Sequence, residues 1–131
     1  MTTIVIARIL FGGFFMVMGF DHFSRLKLMT PWTATKNVPR PKLAVVSTGL
    51  LIIFCGLSLV LGVYVRLAAI LLMFFLVIIT PIMHNFWAIE DPMQKMSEMH
   101  HFLKNLALIG GLLLTFAIPE PWYWSLFGTV Q

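Results

Sequence analysis

Charge is scarce in this chain. Only 11% of its residues are charged against 60% apolar, and the mean hydropathy is +0.94. A soluble domain of 131 residues could not cover itself with so little polar surface, so the composition reads as integral membrane. Cysteine is nearly absent. The single Cys55 excludes an internal disulfide and a CxxC redox pair. Acidic residues number five, and no paired-carboxylate site, nucleophile–base pair or phosphate loop is present. Hydrolase and kinase chemistry are disfavoured, whereas redox chemistry on a bound carrier is not. The pI near 9.7 does not point to nucleic acid, because the basic residues lie beside apolar runs, where they serve topology and lipid headgroups.

What the chain does have is four apolar segments near the length of a bilayer-spanning helix. They predict one all-α domain over 1–131, an antiparallel up-down four-transmembrane-helix bundle in the lipid bilayer. The spans fall at about 3–20, 43–63, 67–83 and 102–118. The first has no basic residues ahead of it and no clean cleavage site, so it reads as retained. Gly12, Gly13 and Gly19, with Gly49, Gly56 and Gly62, predict close helix packing. Residues 21–42 hold three prolines and five Lys/Arg and read as an interfacial loop. Pro81 is expected to break the third span, and Pro119 and Pro121 to stop the fourth. Trp122, Tyr123 and Trp124 read as an aromatic belt. Asp91-Pro92-Met93-Gln94 reads as a helix start, with Asp91 as N-cap and proline at the first helical position. The fourth helix is therefore expected to begin at Pro92 and extend beyond the membrane at its N-terminal end.

Lys/Arg placement orients the bundle. Arg25, Lys27, Lys36, Arg40, Lys42 and Lys95 share one face, with Lys104 close by. The positive-inside rule makes that face cytoplasmic in a cell membrane and turns both termini outward.

The polar residues cluster on that same face. His101, Lys104, Asn105 and Leu108 follow i, i+3, i+4, i+7 and share a helix side. His84 ends the third span there, with Asn85 and Trp87 beside it, and Asp21 and His22 end the first. Imidazole and ammonium donors beside Trp87 make a candidate site for a headgroup, a quinone or a small polar ligand. The plainer alternative is that these groups satisfy helix ends and snorkel to the interface. Arg8 is a second charge within a span, about 20 Å or more from the His84 group. It reads either as an anion anchor or as a partner of backbone carbonyls. His100 and His101 point to different helix faces and cannot chelate one metal. No metal site is predicted, and Cys55 and the nine methionines read as packing residues.

Several short pieces then fall in a telling order. These are Ala7-Arg8-Ile9 with Gly19-Phe20, Gly56…Gly62…Arg66-Leu67-Ala68, His84-Asn85-Phe86-Trp87, and Phe102-Leu103-Lys104-Asn105. Together they resemble the DoxX family of small four-helix membrane proteins, over about Ile6 to Leu114. The family is similar to the membrane subunit of archaeal thiosulfate:quinone oxidoreductase. The resemblance implies an accessory subunit of membrane redox chemistry that touches quinone or a partner oxidoreductase. No electron carrier is encoded, so quinone is the only cofactor expected, and the chain alone is not expected to catalyse. Members often carry a glutamate in span two upstream of the arginine matched by Arg66. Here that position is Ile52, which removes a proton relay through it. A non-enzymatic alternative is a small-solute carrier, assembled as a homo-oligomer, or a structural partner.

Overall fold

The computed structural model describes residues 2–122 and 124–125. These form five α-helices and one 3-10 turn: α1 (Thr2–Ser24), α2 (Leu26–Thr35), α3 (Pro41–Leu61), α4 (Val65–Met83), the turn Phe86–Ala88, and α5 (Pro92–Thr115). No strand occurs among the described residues. Three stretches are long and apolar enough to cross a membrane: Thr2–Ser24, Pro41–Leu61 and Val65–Ala88. The helix expected as a fourth span, α5, falls short of them in mean hydropathy. Its residues 92–105 carry Gln94, Lys95, Glu98, His100, His101, Lys104 and Asn105. Leu10, Phe54, Phe74 and Leu114 point outward, each more than 60% exposed. A surface of that kind suits lipid.

α1 and α3 pack backbone to backbone. A Cβ on Gly12 would lie 2.6 Å from the Gly56 carbonyl oxygen, and one on Gly56 would lie 2.7 Å from the Gly12 oxygen. Gly19 faces Gly49 in the same way. The paired glycines recur one heptad apart on both helices, so the approach is sustained along the crossing. Gly13 faces open space, and Gly62 ends α3 in the left-handed conformation. These two therefore do not belong to the packing face. α4 buries Val65, Ala68, Leu72, Leu76 and Thr80, a helical stripe toward the core.

Residues 21–42 are not a loop. α1 continues to Ser24, and α2 follows as a separate short helix that packs on α3 and α1. Pro31 sits inside α2, while Pro41 takes the first position of α3, where its missing N–H costs no hydrogen bond. Pro81 does not break α4, which runs through it to Met83. The helix loses one bond, and Thr80 before it is buried. α5 begins at Pro92, and the Asp91 carboxylate accepts from the Gln94 backbone N–H at 2.8 Å. Its regular part ends at Thr115 rather than Ile118, and tighter i→i−3 bonds carry the chain through Ile118.

The aromatic belt is not as expected. Trp122 is 5% exposed and belongs to the core, while Trp124 is exposed. Tyr123 lies outside the described residues. The C-terminal segment folds onto the α3–α4 end, where Arg66 Nε lies 3.7 Å from Glu120. That pair is half exposed and adds little stability.

Candidate functional site

Beneath α2 the helices line a partly open cavity of about 620 Å³. Its walls come from every α-helix. Phe14, Phe15, Ile52, Phe75, Leu76 and Leu108 make it apolar at depth, and Leu28, Met29 and Trp32 of α2 roof it. The other end is polar, with Asp21, His22, Arg25, His84, Glu98, His101, Lys104 and Asn105. The roof is fixed at both ends. Arg25 pairs with Asp21 at 3.3 Å. Lys36 donates to Asn85 Oδ1 at 2.6 Å, with its ammonium 4.9 Å from the centre of the Trp32 ring.

The polar end is built by the return of the chain after α4. His84 caps α4, and the 3-10 turn sends the chain back so that α5 runs antiparallel beside α4. His84 Nδ1 then donates to Glu98 Oε2 at 2.6 Å, with side-chain exposures of 22% and 14%. The His84 and His101 rings stack, 5.2 Å between centres and 23° apart in plane. Lys104 Nζ lies 3.5 Å from His101 Nδ1 and 5.9 Å from the centre of the Phe14 ring. Burial, and next the Lys104 ammonium, hold His101 below the usual histidine range. Asn105 is buried and donates to Thr80 Oγ1 at 3.0 Å, which locks α5 to α4. His22 Nδ1 donates to the Met18 carbonyl at 2.8 Å. A chain that is mostly apolar thus gathers imidazole, ammonium and carboxylate groups around one space.

Of the six residues picked from sequence, four meet here: His84, His101, Lys104 and Asn105. Trp87 does not. It is 57% exposed and packs edge-on against Phe86 and Phe102, away from the cavity. Arg8 is also elsewhere. It is buried at the opposite end and lines a second, apolar cavity of about 520 Å³ between α1 and α5. Its Nη2 donates to the Trp124 carbonyl at 2.6 Å, tying down the C-terminal segment. The two cavities share Phe14 in their walls.

Glu98 was missed from sequence. The signal was present, because Glu98 stands three residues before His101 and seven before Asn105, on the same side of α5. No group of three or more His, Cys, Asp or Glu side chains fit to hold a metal ion occurs among the described residues.

Comparison with curated proteins and with solved structures found no match. The DoxX family model matches residues 3–85. That range takes in α1 to α4 and His84, but stops short of Phe102-Leu103-Lys104-Asn105, where the motif reading had extended it. The match covers well over half of the chain, and the chain belongs to the DoxX family.

Proposed function

We propose that this protein is an accessory subunit of membrane redox chemistry and that the cavity beneath α2 takes the headgroup of a quinone. The observation that supports this reading is the cavity's polarity gradient. Aromatic and aliphatic walls suit a ring and the start of an isoprenoid tail, and the charged and imidazole groups come from the ends of α1 and α4 and from α5. Lys104 and a histidine donate to a quinone carbonyl oxygen and stabilise negative charge that develops there. In this reading α5 is the fourth span, with Pro92–His101 beyond the hydrocarbon. The basic α2 face lies in the cytoplasm and both termini lie outside the cell membrane. Electrons come from a partner oxidoreductase, because the chain encodes no carrier of its own.

The test is binding of ubiquinone-1 to the purified full chain in mild detergent. The quinone is expected to raise the melting temperature and quench tryptophan fluorescence, and Lys104→Ala to abolish both effects. A wild-type protein that does not respond refutes the reading.

One observation favours a second reading, a small-solute carrier. The two cavities are lined toward opposite ends of α1, and Phe14 stands in the wall of both. Solute flux into liposomes that is lost in Arg8→Ala or Lys104→Ala protein would support it. Sealed liposomes would end it.

A further inference from the structure

Three of the four histidines line the cavity beneath α2. The titratable and charged groups facing it are Asp21 and His22 from α1, Arg25 at the α1–α2 joint, His84 at the end of α4, and Glu98, His101 and Lys104 from α5. α2 and α3 contribute none. Most of these groups are engaged in ways that fix their roles. Asp21 is taken by Arg25, and His22 Nδ1 by a backbone carbonyl.

The stacked pair is different, because its two rings have opposite neighbours. His84 Nδ1 donates to the Glu98 carboxylate at 2.6 Å. His101 Nδ1 lies 3.5 Å from the Lys104 ammonium, which can donate to it when that nitrogen is unprotonated. With the ring centres 5.2 Å apart, a proton on one ring opposes a proton on the other. The carboxylate on one ring and the ammonium beside the other set the two imidazoles apart.

We propose that Glu98 and His84 form the proton-donating pair of this site, with His84 as the acid, Glu98 as its positioning residue and His101 as the neutral partner. The proposal rests on the quinone reading above and adds the proton chemistry to it. Glu98 holds Nδ1–H, which leaves His84 Nε2–H for an oxygen of the occupant. The two electrons come from a reduced flavin of a partner oxidoreductase. On their arrival the quinone oxygen forms an O–H bond as the Nε2–H bond of His84 breaks. Quinone becomes quinol monoanion, and His84 becomes neutral imidazole with Nδ1–H still on Glu98. The monoanion takes its second proton from water, and water recharges His84. Lys104 holds the anionic oxygen in the interval.

The experiment is titration calorimetry of ubiquinone-1 binding to the full chain in mild detergent, from pH 5.5 to 8.5, in two buffers of different ionisation enthalpy. Wild-type protein is expected to take up protons on binding and to lose affinity by up to about tenfold per pH unit as the imidazolium is lost. Glu98→Gln is expected to bind at low pH with that profile moved to lower pH, because the carboxylate no longer faces the ring. His84→Gln is expected to bind without pH dependence, and it serves alone if Glu98→Gln does not fold. Wild-type binding without proton uptake overturns the proposal and leaves the quinone reading standing. So does a Glu98→Gln profile that matches wild type, or a His84→Gln profile that keeps the wild-type slope. Absence of binding at every pH overturns both.

Discussion

Gly12 and Gly13 are neighbours on α1, and replacing each by alanine should have opposite effects. A Cβ on Gly12 would meet the Gly56 carbonyl oxygen at 2.6 Å and the Val60 backbone nitrogen at 2.8 Å. Ordinary contact begins near 3.4 Å, so α1 and α3 must part by about 0.8 Å. Both obstacles are backbone, which no rotamer change can move. Overpacking of this kind costs about 1–3 kcal/mol, and a rigid obstacle places Gly12→Ala in the upper part of that range. Alanine returns up to about 1 kcal/mol through its helix propensity. The net loss is then about 1–2 kcal/mol. A Cβ on Gly13 meets nothing within 4 Å, so Gly13→Ala keeps only the propensity gain of about 0.5–1 kcal/mol. The two variants should differ by about 2–3 kcal/mol, on the order of 100-fold in the unfolding equilibrium. Reversible unfolding in mixed micelles with increasing dodecyl sulfate, followed by circular dichroism, measures the difference. Equal stability of the two variants would refute the close α1–α3 approach.

Thr80→Val leaves the buried Asn105 amide without its acceptor and should cost about 1–2 kcal/mol in the same assay. Adding Asn105→Leu should cost less than the sum of the single changes, since the two side chains act as one bond. Trp32 roofs the cavity and Trp87 stands outside it. Trp32→Phe should therefore remove most of the quinone-induced fluorescence quenching, and Trp87→Phe should leave it intact.

The sequence was most informative where local chemistry decides the outcome. Asp91-Pro92 caps α5 because a carboxylate and a missing N–H suit the first turn of any helix. The paired glycines were legible as packing residues, yet their partners were not. Gly13 and Gly12 look alike in sequence, and only the crossing of α1 with α3 separates them. Residues 21–42 misled for a similar reason. Prolines and basic residues read as a loop, but Pro31 is tolerated in α2 because that helix is stabilised by what it covers. Trp122 looked like an interfacial anchor until the C-terminal segment folded inward and buried it. Trp87 sits beside His84 in sequence, yet the 3-10 turn points it away from the cavity.

The residue at position 52 is a poor guide to this cavity when taken alone. Ile52 stands in the cavity wall, so a carboxylate there would face the same space as His84 and His101. Its absence argues against a proton relay only if no other carboxylate reaches that space. Glu98 does reach it, from α5, across a chain reversal that brings two residues 14 positions apart into a 2.6 Å contact. The carboxylate, one stacked imidazole and the ammonium all come from a helix beyond the residues that the family model matches. The matched part supplies the walls, the roof, Asp21, His22 and His84. Acid–base character here depends on which groups share the cavity rather than on which span carries them. For that reason the fold transfers by family membership, while the chemistry has to be read from the side chains that α5 brings to His84.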